Sequence, residues 1–340
     1  MSVLKLTAEL ESWPLIEPFR IAGYTFEAID VVKVRLDQEG NAGHGEAAGV
    51  YYKDDRPASM LRQIEKCRSR IEHGLTRDTL LQLLPPGGAR NALDCALWDL
   101  EAKCSGRDVA ELAGLDKPKA LLTTMTCGAD SPDKMAVAAK NFSEAKAIKL
   151  KLTGEPCDED RVLAVREARN DVWLSVDANQ AFTLRFLETL MPTLVKTRVA
   201  LIEQPFRVGQ EALLDRIESP IAFAADESVQ CLSDVTNAAS RFQFLNIKLD
   251  KCGGLTEGLA MARKAHDLGL DTMVGNMMGT SLAMAPAYLL GQICKIVELD
   301  GPLYLTADRE PRVVFRDGLI RCSDAVWGAS DCRKFTADNI

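Results

Sequence analysis

Short apolar runs recur through the second two-thirds of the chain. They cover residues 121–127, 147–152, 173–178, 199–203, 221–225, 244–249, 271–274 and 296–299, and their starts lie roughly 22–27 residues apart. The gaps read mostly as amphipathic helix. Short runs spaced by helical gaps predict a βα repeat with parallel strands. Eight of them predict a (β/α)7-8 TIM-type barrel, although an open doubly wound sheet shares the same rhythm. No Gly-x-Gly-x-x-Gly follows the first run, which weakens the dinucleotide-binding version of that sheet.

The first ~115 residues have a different pattern. Residues 31–36 alternate as a strand, residues 37–41 form a turn, and the Gly-rich stretch 42–47 returns as a second strand, which predicts an antiparallel hairpin. A helix follows over 89–103. It places Leu93, Ala96, Leu97 and Leu100 on one face, with Pro85-Pro86-Gly87-Gly88 before it and Gly106 after it. This end is an α+β module. After Gly301 the tail is too long for a closing helix alone, and 313–315 and 319–320 read as short strands. The expected division is a capping domain over 1–117, a barrel over 118–301, and a tail over 302–340 that returns to the cap.

Composition narrows the function. The 340 residues carry 41 Lys and Arg against 49 Asp and Glu, for a net charge of −8. Nucleic acid is a poor partner for such a chain, because phosphate binding needs a basic face. No apolar run approaches the ~20 residues of a membrane span. Acids stand where the apolar region of a signal peptide would lie, so the expected location is the cytoplasm. The ten cysteines form no Cys-x-x-Cys pair and are expected to be reduced and mostly buried.

The charged residues inside the apolar runs carry the chemistry. Side chains two apart share a face of a strand. Lys149 and Lys151 therefore share one face of the second run, and Leu150 and Leu152 share the other. Asp177 and Asn179 share a face at the end of the third. Glu203 ends the fourth and Asp226 follows the fifth. Asn246, Lys248 and Asp250 share a face in the sixth, and Glu298 and Asp300 in the eighth. In a barrel the leucine faces go outward, so the charged faces point inward near the strand C-termini, where barrel active sites lie. Burying an unpaired charge costs several kcal/mol, so repeating it on strand after strand implies a site.

Asp177, Glu203 and Asp226 offer a hard, oxygen-only cage suited to Mg²⁺, with Mn²⁺ as a substitute. Lysines on the second and sixth strands face each other across a barrel. A lysine serves as a general base when nearby positive charge lowers its pKa, and Lys149 with Mg²⁺ supplies that charge for Lys151. The metal would bind a substrate carboxylate and stabilise the enediolate left by loss of the α-proton. With Lys151 on one face and Lys248 on the other, a proton is removed and returned from opposite sides. That is racemisation or epimerisation.

These segments resemble the enolase superfamily: Lys149-Leu-Lys151, Ser175-Val-Asp177-Ala-Asn179, Ile202-Glu203-Gln204-Pro205, Ala225-Asp226-Glu227-Ser228 and Asn246-Ile-Lys248-Leu-Asp250-Lys-Cys-Gly-Gly254. The helix from Ala89 and Gly43-His-Gly-Glu46 are similar to its capping domain. The resemblance covers nearly the whole chain and falls in the muconate-lactonising branch, nearest its dipeptide epimerases, those acting on L-Ala-D/L-Glu in particular. It implies Mg²⁺ on Asp177, Glu203 and Asp226, with Lys151 and Lys248 as bases. It implies an Asp-x-Asp pair for the dipeptide ammonium, which here reads Glu298-Leu-Asp300. Assembly into a homo-oligomer is implied by analogy only.

The loop after the first strand departs from the expected pattern. It reads Ile21-Ala-Gly-Tyr-Thr-Phe26, with no cation between Arg20 and Lys33. Arg20 would have to turn inward to meet a glutamyl carboxylate; otherwise Tyr24 and Phe26 line an apolar pocket. An L-Ala-Xaa dipeptide is thus the expected substrate, with glutamate first and an apolar residue next. The alternatives are an o-succinylbenzoate synthase, a muconate cycloisomerase or an N-acylamino acid racemase. None of those substrates brings an ammonium to Glu298 and Asp300.

Overall fold

The computed structural model describes residues 4–329. The N-terminal module opens with a three-stranded antiparallel sheet, β1 (Lys5–Ile21), β2 (Tyr24–Gln38) and β3 (Asn41–Ala47). Three helices follow, α1 (Pro57–Glu72), α2 (Arg77–Leu83) and α3 (Gly88–Ser105). The glycines of β3 exist for helix contact. A Cβ on Gly45 would sit 2.0 Å from the Ala92 carbonyl oxygen, and one on Gly43 2.1 Å from that of Ala96. Only glycine lets the strand lie directly on α3, and Val32, Val34, Leu36, Leu93 and Leu97 close the core around that contact.

The run at 121–127 divides in two. Its first half, β4 (Leu121–Leu122), leaves the barrel and pairs with the tail, and only its second half, β5 (Thr124–Cys127), is a barrel strand. The remaining barrel strands are β6 (Ala147–Lys151), β7 (Trp173–Asp177), β8 (Val199–Glu203), β9 (Ala222–Ala225), β10 (Phe244–Lys248), β11 (Asp271–Gly275) and β12 (Ile296–Val297). They form one parallel sheet in sequential order from β5 to β12. The Leu299 N–H donates to Thr123 Oγ1 at 3.0 Å and bridges the two ends of that order. Not every strand is followed by a full helix. A 3₁₀ turn, Glu211–Arg216, takes that place after β8, and a 3₁₀ turn, Leu232–Asp234, with the one-turn helix Val235–Ala238 precedes β10.

Alternation along these strands separates two environments. Ile148, Leu150, Leu174, Val176, Ile202 and Ile247 pack outward into the main core against the helices. Leu201, Ala224 and Met273 form a small separate apolar cluster. They fill the barrel floor, and the inward residues nearer the strand C-termini are polar or charged.

The tail strands β13 (Val314–Arg316) and β14 (Leu319–Arg321) pair with each other and with β4, not with the N-terminal sheet. Farther on the chain does reach the cap: Trp327 Nε1 donates to the His44 carbonyl at 3.0 Å, and the Gly328 N–H to Asp99 at 2.8 Å. The last part of the expected tail, 330–340, lies outside the described residues, as does Cys332. The nine described cysteines are free, but only Cys95, Cys127 and Cys252 are buried, fewer than expected. Among the described residues no helix is long and apolar enough to cross a membrane.

Polar ties lock the cap to the barrel mouth. Arg309 reaches Glu46 on β3 (2.7 Å), Thr280 at the start of the helix Ser281–Gly291 (2.8 Å), and Glu11 on β1. Asp94 of α3 accepts from the Thr256 N–H at 2.9 Å. Asp250 was expected on the site face of the sixth strand. The strand instead ends at Lys248, and Asp250 sits in the one-turn helix Leu249–Cys252, where it accepts the Gly49 N–H at 2.8 Å.

Candidate active site

The strand C-termini bring the predicted charged residues to one place. Register puts Lys151 beside Asp177 and Asp177 beside Glu203 on adjacent strands. Lys151 Nζ donates to Asp177 Oδ2 at 2.5 Å and to Asn179 Oδ1 at 3.1 Å. Lys149 Nζ donates to Glu203 Oε2 at 3.1 Å, lies 3.6 Å from Asp177 Oδ2, and also meets Glu298. From the far side Lys248 Nζ donates to Asp226 Oδ2 at 2.7 Å. Because β6 and β10 stand four apart in an eight-strand order, Lys151 and Lys248 approach from opposite walls.

Asp177, Glu203 and Asp226 are all buried, and one carboxylate oxygen of each lies within 4.8 Å of the others. Such crowding divides their ionisation. Burial and the neighbouring Asp177 push Glu203 up to about 8. Burial opposes ionisation of Asp226 too, but Lys248 and Lys251 outweigh it and hold its carboxyl far below the usual range. The same carboxylates hold the Lys248 ammonium above its ordinary value against burial. Three buried carboxylates that cannot comfortably ionise together, with oxygen as the only donor, fit a hard divalent cation.

Glu298 and Asp300 are both buried. Among the described residues the Oε1 of Glu298 has no hydrogen-bond partner. Asp300 Oδ2 accepts from the Thr126 N–H and the Tyr304 hydroxyl, each at 2.7 Å, while its Oδ1 has only a 3.5 Å contact with Asn276. One buried carboxylate oxygen on each residue is therefore available at this wall.

A cavity between barrel mouth and cap joins these groups. Lys149, Lys151, Asn179, Asp226, Lys248, Glu298 and Asp300 line its barrel side, and Phe19, Ile21, Phe26, Tyr51 and Tyr52 line its cap side. Of the residues predicted for substrate contact, Phe26 lines it. Tyr24 does not; it lies 44% exposed in an adjoining groove with its ring on Tyr51. Arg20 turns to the surface and pairs with Asp130 at 2.9 Å, while its carbonyl accepts the Ala129 N–H.

Sequence reasoning missed Tyr51, Tyr52, Thr126, Tyr304 and Lys251. The first two follow Gly49 in a loop with no periodic signal. Lys251 stood next to Asp250 in a quoted segment but one position off the strand's inward face. The turn after Lys248 rotates it onto Asp226, to which it donates at 2.5 Å.

Two family descriptions match this architecture. Residues 4–114 match the N-terminal domain of mandelate racemase and muconate lactonizing enzyme, and residues 134–326 match the enolase C-terminal domain-like family. The chain belongs to the enolase superfamily. It is 39% identical over 310 residues to the L-Ala-D/L-Glu epimerase of Escherichia coli (strain K12), covering 91% of this chain and 96% of that one. It is 37% identical over 319 residues to an N-acetyl-D-glutamate racemase of Pseudoalteromonas sp, covering 91% and 99%. Among solved structures, an enolase family member from Agrobacterium tumefaciens with homology to dipeptide epimerases, bound to sodium and L-Ala-L-Glu, superposes with a TM-score of 0.93 at 38% identity, covering 96% and 100%. A dipeptide epimerase from Methylococcus capsulatus complexed with Mg and L-Arg-D-Lys superposes at 0.88 with 28% identity, covering 95% and 98%.

Proposed function

We propose that this protein is a Mg²⁺-dependent dipeptide epimerase that inverts the α-carbon of the second residue of an L-Ala-Xaa dipeptide, with L-Ala-D/L-Glu the first candidate. The observation that carries the reading is the placement of Lys151 and Lys248 on opposing strands with the carboxylate triad between them. Asp177, Glu203 and Asp226 would hold the metal, which when bound neutralises the triad and draws charge from the substrate carboxylate. Glu298 and Asp300 bind the α-ammonium through their free oxygens. The dipeptide then spans the mouth from β12 to the triad, and its second α-carbon lies between the two lysines.

Starting from the L epimer, the neutral amine of one lysine takes the α-proton as the C–H bond breaks, and the electron pair passes into the carboxylate as an enediolate. The ammonium of the opposite lysine then gives its proton to the other face of the carbon. In the reverse direction the lysines exchange roles. Lys149 donates to both Glu203 and Glu298 and so ties the carboxylate triad to the wall that carries the ammonium site.

The matching epimerases support this reading. The N-acetyl-D-glutamate racemase favours a second one, racemisation of an N-acylamino acid by the same lysines. That substrate has no ammonium for Glu298 and Asp300, which favours the dipeptide. The division into cap (1–117), barrel (118–301) and returning tail is part of the proposal, as is a cytoplasmic location, which the nine cysteines among the described residues, all free, support. The test is a panel of L-Ala-L-Xaa dipeptides incubated in D₂O with Mg²⁺ and scored by mass spectrometry for uptake of one deuteron. Uptake that stops on chelation supports the reading; no uptake in any dipeptide with metal bound overturns it.

A further inference from the structure

What receives the side chain of the second residue follows from the cap wall, and the inference rests on the dipeptide reading above. With the ammonium at β12 and the carboxylate at the triad, that side chain leaves the α-carbon toward the cap. The cap residues lining the cavity there include Ile21, Phe26, Tyr51 and Tyr52, and both phenols lie near enough to Lys248 and Asp226 to feel their charge. Among the described residues no cap residue lining the cavity is cationic. Arg20 faces Asp130, and the three lysines of the cavity already face carboxylates. Asn276 is also committed: its Nδ2 donates to the Glu298 carbonyl at 2.7 Å and its Oδ1 accepts the Met278 N–H at 2.7 Å.

Two phenols remain. The Tyr51 ring is held edge-on by Tyr24 at 4.5 Å, Phe26 at 5.3 Å and Tyr52 at 5.1 Å, but its hydroxyl has no hydrogen-bond partner among the described residues. Tyr52 Oη accepts from Gln230 Nε2 at 3.0 Å, which leaves its own proton free to donate. Burial raises both phenols above their ordinary range, so they stay protonated donors.

We propose that the Tyr51 hydroxyl, with Tyr52 beside it, is the receptor for the end of the second side chain, so that the substrate class is L-Ala-Xaa with Xaa ending in a hydrogen-bond acceptor. A neutral donor differs from the two other receptors a cap wall could offer. A cation would separate glutamate from glutamine strongly, because the partner's charge is desolvated with it. A wholly apolar wall would prefer leucine to both. A phenol accepts the carboxylate and the amide oxygen alike and penalises a side chain that leaves it unpaired.

The experiment compares kcat/KM for L-Ala-L-Glu, L-Ala-L-Gln and L-Ala-L-Leu in the full-length enzyme with Mg²⁺, for wild type, Tyr51→Phe and Tyr52→Phe. Phenylalanine keeps the edge-on ring contacts, and circular dichroism checks the fold. The expected result is Glu and Gln within about tenfold of each other and both above Leu, with Tyr51→Phe lowering the Gln-to-Leu ratio about fivefold or more. Three outcomes overturn the proposal while leaving the epimerase reading intact: Glu above Gln by more than about a hundredfold, Leu the best substrate, or ratios that Tyr51→Phe does not move. If wild type exchanges the α-proton of none of the three, while the wider L-Ala-L-Xaa panel is also silent, the epimerase reading itself has failed and this proposal falls with it.

Discussion

Glutamine in place of Glu298 isolates the recognition of the substrate ammonium. In the free enzyme the side chain is buried, with one oxygen on Lys149 and Oε1 unpaired. An unpaired buried acceptor costs about 1–3 kcal/mol, and a hydrogen bond to a charged group contributes about 1.5–3 kcal/mol. An arriving ammonium relieves the first and gains the second. Glu298→Gln keeps the shape, removes the charge, and puts either a weaker acceptor or an N–H₂ donor against the ammonium. A loss of about 2–4 kcal/mol follows, which is ~30- to ~1000-fold in kcat/KM. The part of the loss that belongs to the ammonium appears only with a substrate that carries one. The assay is therefore α-deuterium uptake by L-Ala-L-Glu and by N-acetyl-L-glutamate, read as a ratio in wild type and variant. The ratio should fall by that factor. A ratio that moves less than about fivefold would refute the assignment of Glu298, because then its free oxygen does not meet an ammonium. Calorimetric Mg²⁺ binding to the variant separates this effect from any disturbance passed through Lys149 to the triad.

Other consequences follow from the same geometry. Arg309→Met leaves the buried Glu46 without its guanidinium and should cost about 3 kcal/mol in urea unfolding, with Arg309→Met/Glu46→Gln recovering most of it; an equal loss in single and double variants would contradict the pairing. Asp226→Asn should abolish Mg²⁺ binding by calorimetry, and undiminished affinity would remove Asp226 from the ligand set. Burial raises Asp250 from 3.8 to about 7, so the folded state holds this proton longer than the unfolded chain, and the group makes stability fall as pH rises from about 4 to 7. In Asp250→Asn that decline should flatten when urea midpoints are compared near pH 5 and near pH 8, while a decline of unchanged slope would assign it to other groups.

The barrel and its charged mouth were readable because both depend on a local rule. Alternation along a strand fixes which side chains share a face, so Lys149 with Lys151 and Asn246 with Lys248 emerged from spacing alone. The rule stops where the strand stops. Asp250 lies two residues past Lys248, yet the helical turn after β10 sends it to Gly49 and sends its neighbour Lys251 to Asp226. The run at 121–127 looked like one strand because nothing local reports that its first residues pair with β14, whose partner lies about two hundred residues away. The cap wall was hidden for the same reason. Tyr51 and Tyr52 enter the cavity because the cap docks on the barrel through Asp250, Asp94 and Arg309, and docking is written in no single segment. Arg20 shows the limit from the other side: its type suited a carboxylate, but the hairpin tip presents it to Asp130.

The central claim is that two lysines act on opposite faces of one carbon, and single replacements test it directly. Lys151→Ala and Lys248→Ala should each lose epimerisation. Each should still exchange the α-proton of one epimer with D₂O, one variant that of the L,L dipeptide and the other that of the L,D dipeptide, because the remaining base reaches only its own face. Reciprocal exchange of this kind is the predicted result. Exchange of the same epimer by both variants, or epimerisation surviving in either, would contradict a two-base site.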